Sequence, residues 1–257
     1  MNVKNLSQKV IRILVVSVLF SACSPYGRIS TTESKEYVIS GNTEIKDDSA
    51  VTAIIEPYKE QLSASMEIVL ARSTQVLEKG IPESTLGNFI TDLCLLRGKQ
   101  EYHPADSQGI DFAFLNNGGF RRSLPEGNIT RGDIFELMPF ENELIILTLK
   151  GTTVKKLINF MASKGGAPVS GIRFIIKEKE AANISIGTSG FDSTKVYKVL
   201  TSDYLANGGD NHGFLSEAAG RESLGIKIRD AILQHLYIMG KTEELISVSK
   251  DGRIKNE

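Results

Sequence analysis

The chain has 257 residues, enough for one large or two small domains, and its 41% hydrophobic content is sufficient for a buried core. Thirty basic residues face 31 acidic ones without a Lys/Arg cluster, which argues against a nucleic-acid binder held by a broad basic field. Its two cysteines supply neither a disulfide framework nor a Cys-rich metal site.

The first stretch, "MNVKNLSQKVIRILVVSVLFSACS", places Lys4, Lys9 and Arg12 before an apolar run from Ile13 to Phe20, then Ser21 and Ala22 ahead of Cys23. The run is shorter than the roughly 20 residues of a membrane-spanning helix and has the layout of a signal-peptide core. Small residues directly before a cysteine resemble the lipobox of bacterial lipoproteins, although Phe20 stands where Leu is more usual. That resemblance implies cleavage before Cys23, lipidation of Cys23, and an extracytoplasmic, membrane-anchored protein. A plain secretory signal with an incidental cysteine is the alternative, and it also places the protein outside the cytoplasm. Residues 1–22 are thus expected to be a signal segment. Residues 23–49, rich in Ser, Thr and charge, read as a tether with a short strand at "EYVIS", and residues 50–257 as the folded domain.

Within the domain, "VTAIIEPYKEQL" has helical content interrupted by Pro57, and "SMEIVLARST" reads as a strand. "ESTLGNFITDLCLLRGK" spaces Leu86, Phe89, Ile90 and Leu93 as one helical face behind Ser84 as N-cap, with Cys94 a buried packing residue. "IDFAFLNN" is a short strand running into a Gly-Gly turn. In "NITRGDIFELMPF", Thr130 and Asp133 form a capping box for a short helix that stops before Pro139. "ELIILTLKG" reads as a buried strand, and "TTVKKLINFMASKGG" as an amphipathic helix ending at Gly165. "GIRFIIK" and "KVYKVLTSDYL" are predicted strands separated by a polar loop. "SLGIKIRDAILQHLYIMG" is predicted as the last helix, and "ISVSKDGRIK" as an edge strand. Strands and helices intersperse without a βαβ repeat, so the expected fold is α+β with a mixed β-sheet and packed helices.

Two turns stand out, "LNNGGFRRSL" and "SDYLANGGDNHG", each an apolar run ending in Asn and paired glycines. Adjacent glycines let the backbone take positive φ and approach a ligand closely, although most such pairs are plain hairpins or bulges. Around the first turn stand Asn116, Asn117, Gly118, Gly119, Arg121 and Arg122. An Arg there can grip a phosphate or carboxylate through two bonds, and an Asn can meet a hydroxyl or a base edge. Around the second stand Tyr204, Asn207, Gly208, Gly209 and Asp210, whose carboxylate suits a pair of sugar hydroxyls. Phe140 and Tyr204, each at an element end, either offer ring faces to a planar base or cover the core.

Together, "ESTLGNFITD", "LNNGGFRRSLPEGNITRGDIFELMPFENELIILTLKGTTVKKLI", "YKVLTSDYLANGGD" and "DGRIK" resemble the C-terminal domain of the 5′-nucleotidase and UDP-sugar hydrolase family over about residues 50 to 256. The resemblance implies a substrate-binding domain in which the base lies between Phe140 and Tyr204, with Asn116, Arg121 and Asp210 as polar contacts. Tyr204 stands where the family commonly has Phe, and Asn117 where it has Gly. Gly80 occupies a position where an Arg is frequent, with Lys79 beside it as a possible but unforked replacement.

Full-length members of that family carry a dimetal phosphatase domain with His-rich motifs. His103, His212 and His235 stand in no such motif, and His212 is expected at the rim of the second turn. No catalytic residue, metal ligand or cofactor is therefore assigned to this chain, and divalent metals are expected only in a partner phosphatase chain. Two functional readings follow. One is a nucleotide- or nucleoside-binding half that works with a separate metallophosphatase in nucleotide catabolism. The other is a non-catalytic nucleoside-binding lipoprotein serving uptake. Neither involves nucleic acid.

Overall fold

The computed structural model of the chain describes residues 31–36 and 47–257. The signal segment, Cys23 and nearly all of "EYVIS" lie outside the described residues. Among the described residues no helix is long and apolar enough to cross a membrane. Residues 31–36 are exposed chain without regular structure, and Ser49–Glu257 forms one compact unit.

That unit begins with α1 (Ser49–Met66), β1 (Val69–Ser73), α2 (Thr85–Glu101), β2 (Phe112–Phe114), β3 (Gly127–Thr130), α3 (Arg131–Leu137), β4 (Glu143–Lys150) and α4 (Gly151–Ser163). There follow β5 (Val169–Ser170), β6 (Ile172–Lys177), β7 (Glu180–Ile186), β8 (Ser189–Gly190), β9 (Val196–Ser202) and the one-turn helix α5 (Asp203–Ala206). The chain closes with β10 (Gly220–Lys227), α6 (Ile228–Lys241), β11 (Leu245–Ile246) and β12 (Ile254–Asn256). The central sheet runs β10-β4-β9-β2-β5, flanked by the smaller sheets β11-β1-β3 and β12-β6-β7-β8. Both sheet directions occur, since β9 and β2 are parallel and β4 and β9 antiparallel, so the fold is α+β with mixed sheets.

The central sheet is buried on both faces. Successive residues of β4 enter different cores: Leu144 and Ile146 pack with α2 and α6, whereas Ile145 and Leu147 pack with α4 and β6. A strand with two buried faces needs a continuous apolar run, which is the pattern of "ELIILTLK". The helix starts are set locally as the sequence predicts. Ser84 Oγ accepts from Gly87 N at 3.0 Å, and at α3 the Thr130 hydroxyl accepts from Asp133 N while the Asp133 carboxylate accepts from Thr130 N at 2.8 Å. Cys94 is fully buried, and burial pushes its thiol pKa up to about 12, which leaves it inert.

Several expectations change. Helix α1 runs through Pro57 instead of stopping there and takes in Ser65 and Met66, leaving only Val69–Ser73 as strand. Pro57 removes the bond to the Ala53 carbonyl, but Ala53 is exposed and water can replace it. "SLGIK" belongs to β10 rather than to the last helix, because Gly220–Ser223 pairs with Ile145–Thr148 and Gly225, at φ +66°, sits at a break in register. The polar loop after β6 contains β7 and β8. Its hairpin turn, Glu178–Lys179, holds φ of 48° and 66° without the usual Asn-Gly signal.

The C-terminal tail forms two short strands, β11 parallel to β1 and β12 parallel to β6, not one edge strand. The turn between them locks onto the start of α2. Glu83 accepts from Asp251 N at 2.7 Å, Gly252 N at 3.0 Å and Asn88 Nδ2 at 2.7 Å. Arg253 forks onto Asp92 at 2.7 and 2.9 Å and donates to the Val169 carbonyl at 2.8 Å. "ESTLGN" and "DGRIK" are thus two sides of one junction.

Candidate functional site: a cleft between two glycine turns

Strand pairing brings the two glycine turns to one edge. β2 and β9 are parallel neighbours, so the turns that follow them emerge side by side. β4 is antiparallel to β9, with Leu144 opposite Ser202, so the segment entering β4, Phe140 to Asn142, arrives at the same edge. A cleft of about 300 Å³ lies among them, lined by Asn116, Gly118, Gly119, Arg121, Phe140, Asn142, Tyr204 and Asp210. Phe140 and Tyr204 remain 42% and 43% exposed, so neither ring is spent on covering the core.

Asp210 is the polar centre. Its carboxylate accepts from Asn116 Nδ2 at 2.6 Å and from the Tyr204 hydroxyl at 2.8 Å, so it ties the two turns together. The same bond raises the phenol pKa of Tyr204 above its ordinary value, keeping the hydroxyl neutral and donating. The Arg121 guanidinium has no carboxylate partner among the described residues and stands 5.9 Å from the centre of the Phe140 ring. An anion entering the cleft would find it available.

The glycines have separate tasks. At Gly209 a Cβ would lie 2.5 Å from the Tyr204 ring, and Gly208 holds φ +91°, so neither position takes another residue without moving the ring or straining the turn. Asn117 does not reach the cleft, since its Nδ2 donates to the Gly80 carbonyl at 3.3 Å. Lys79 donates to the Phe120 carbonyl at 3.1 Å, so it braces the first turn and does not line the cleft. Asn207 is engaged by Arg221 at 2.6 Å, and Arg122 pairs with Glu136 and, at 3.6 Å, with Asp133.

His212 is not a rim residue. It is 6% exposed, with its ring 4.7 Å from Phe160 and 5.7 Å from Phe114, and Nδ1–H donates to the Gly209 carbonyl at 2.9 Å. Burial lowers its pKa, so it is a neutral brace for the second turn. Tyr204, expected at a strand end, sits in α5, where Ser202 caps the turn.

Three residues of the site were not singled out from the sequence. Asn142 lines the cleft, and its place beside Phe140 in "PFEN" is the signal that could have found it. Asp203 accepts from Glu143 N at 3.2 Å and Tyr204 N at 2.8 Å, joining the segments that carry the two rings. Arg229 donates to the carbonyls of Met138 at 3.3 Å and Pro139 at 3.2 Å and pairs with Glu141, clamping the Phe140 segment from α6. No local pattern marks Arg229, because its partners lie some ninety residues away.

Two-metal hydrolysis needs a cluster of His and carboxylate donors. Among the described residues no group of three or more His, Cys, Asp or Glu is placed to hold a metal ion. His103 is exposed on a loop, and the His235 ring packs against Phe89 at 6.2 Å.

The chain is 25% identical over 228 residues to a 5′-nucleotidase of Vibrio cholerae, covering 82% of this chain and 39% of that protein. It is 30% identical over 189 residues to the trifunctional nucleotide phosphoesterase protein YfkN of Bacillus subtilis, covering 67% of this chain and 12% of the other. The crystal structure of a 5′-nucleotidase precursor from Thermus thermophilus superposes with a TM-score of 0.68 at 27% identity, over 80% of this chain and 43% of that one. The chain thus spans less than half the length of the curated relatives it matches. The family model for the 5′-nucleotidase C-terminal domain matches residues 63–217, more than half of the chain, and the chain belongs to that family.

Proposed function

We propose that this chain is the nucleoside-holding half of a 5′-nucleotidase-type phosphohydrolase, anchored outside the cytoplasm through Cys23, and that a separate dimetal phosphatase chain performs the hydrolysis. The observation that carries the reading is the convergence of two half-exposed rings, Phe140 and Tyr204, with Asn116, Arg121 and Asp210 in one cleft. In this reading a purine or pyrimidine stacks on these rings, a contact worth about 1–3 kcal/mol per base. Asp210, already an acceptor for two donors, exchanges them for ribose hydroxyls at little net cost, since hydrogen bonds are traded one for one. Arg121 supplies the unpaired cation for phosphate or ribose oxygen.

In this reading the chain contributes position instead of chemistry. Holding a phosphate ester in line with a metal-activated water makes an otherwise bimolecular step effectively unimolecular. The test is calorimetric titration of the chain with adenosine and AMP, with Tyr204→Ala in parallel. Saturable binding weakened by the substitution is expected. Binding that is absent, or indifferent to Tyr204, refutes the reading.

A nucleoside-binding lipoprotein serving uptake is the second reading, since the same cleft could hold a nucleoside without a phosphatase partner. Adding a purified phosphatase partner separates the two. AMP turnover that rises with this chain supports the first reading, and turnover that stays flat over a wide concentration range supports the second.

A further inference from the structure

The two oxygens of Asp210 are engaged by different parts of the chain. Oδ2 accepts from Asn116 Nδ2 at 2.6 Å, from the first glycine turn, and Oδ1 accepts from the Tyr204 hydroxyl at 2.8 Å, from the second. These donors are not equally free to leave.

Asn116 stands between the cleft and a second cavity of about 440 Å³, which Gly118 and Asp210 also line. Rotation of its side chain releases Oδ2 and has space to go into. Tyr204 has no such alternative. Its ring lies so close to Gly209 that a Cβ there would come within 2.5 Å, and its hydroxyl oxygen also accepts from Asp210 N at 3.2 Å. Two bonds thus join the phenol to a residue six positions on, and they meet a backbone held at φ +49°. The result is a fixed O–H donor on one oxygen of the carboxylate, the same chemistry that a sugar hydroxyl would bring.

Resting on the nucleoside reading above, we infer that the Tyr204 hydroxyl determines sugar specificity: it stands in for one sugar hydroxyl on Asp210, so the site takes 2′-deoxynucleosides nearly as well as ribonucleosides. A ribose has two adjacent hydroxyls and can replace both donors. A 2′-deoxyribose has only the 3′-hydroxyl on that edge, which takes Oδ2 from the movable Asn116 while Oδ1 keeps Tyr204. In both complexes each carboxylate oxygen retains a donor beneath the bound ligand. That condition decides the affinity, because exchanging one donor for another is nearly neutral, whereas covering a charged acceptor and leaving it unpaired is costly. With Phe at position 204 the ring remains and the stand-in is gone, and only a ribose satisfies both oxygens.

The test is a two-by-two comparison by calorimetry near neutral pH, with the wild-type chain and Tyr204→Phe each titrated with adenosine and 2′-deoxyadenosine. Tyr204 is 43% exposed, so losing its hydroxyl does not threaten the fold, and thermal midpoints confirm this. The wild type should bind the two nucleosides within about threefold of each other, and Tyr204→Phe should prefer adenosine by at least about tenfold. The effect is read as a change in the ratio, which a general loosening of the cleft would not move. A wild-type preference that already reaches tenfold, or the same ratio in both proteins, overturns the inference and leaves the nucleoside reading intact. A ratio that opens as far in Asn116→Ala gives the role to the amide and also overturns it. Absence of saturable binding of either nucleoside to the wild type removes the nucleoside reading and this inference with it.

Discussion

Tyr204 offers the sharpest separation between stacking and hydrogen bonding, because its ring and its hydroxyl have distinct partners. The ring lies against Gly209 and is 43% exposed into the cleft, and the hydroxyl donates to Asp210 at 2.8 Å. Of roughly 200 Å² for such a side chain, about 85 Å² is open. Covering all of it with a base at about 25 cal/mol per Å² contributes at most ~2 kcal/mol, or about 30-fold in affinity. Tyr204→Ala should therefore weaken adenosine binding by up to about 30-fold. Tyr204→Phe keeps the ring and releases Asp210 from one donor that a ribose hydroxyl can replace, so its affinity should stay within about threefold of the wild type. Calorimetry on the three proteins, with thermal midpoints to confirm folding, makes the comparison. If Tyr204→Phe loses as much as Tyr204→Ala, the hydroxyl carries the binding, and the stacking argument is wrong.

The junction at Arg253 should dominate stability: Arg253→Met leaves Glu83 and Asp92 without their cation and Asp251 with Arg173 alone, and is expected to cost about 2–4 kcal/mol in urea unfolding, with Arg253→Lys restoring less than half because an ammonium lacks the fork onto Asp92. Burial opposes ionisation of Asp251, but its hydrogen bond and charge pairing with Arg253 prevail and hold its pKa at about 2, below the ordinary 3.8. The unfolded chain then binds the proton first, so this contribution is present above about pH 4 and drains away as pH falls toward 2; an acid-unfolding profile that is the same in Arg253→Met would refute the assignment. For His212, burial lowers the folded pKa, so the unfolded state again takes up the proton more readily and stability is lost as pH drops below about 6.5. An NMR titration placing the His212 imidazole at or above 6.5 would contradict the buried, neutral brace.

Capping signals and alternation set much of the local structure before any tertiary contact forms. Ser84, and Thr130 with Asp133, start their helices through bonds spanning three residues, and β4 announces its two buried faces in an unbroken apolar run. Such signals need only neighbours in the chain, and so they are legible there. The two glycine turns were visible for the same reason, because Gly208 and Gly209 answer to the backbone and to a ring five residues away.

What the sequence could not display is every choice made by a distant partner. Whether "SLGIK" becomes strand or helix depends on an open edge of β4, and Pro57 stays helical because α1 is solvated around it. His212 sits inside because Phe160 and Phe114 surround it, and Arg229 matters to the cleft through carbonyls that α6 happens to meet. By itself the sequence determined which side chains offer a ring face, a guanidinium or a carboxylate, since these are properties of the residues themselves. Only the tertiary structure decided which of them share a cleft, because the parallel pairing of β2 with β9 and the antiparallel return of β4 set that edge. It brings Asn116, Phe140, Tyr204 and Asp210 together and leaves Lys79, Asn117 and Asn207 to brace the turns.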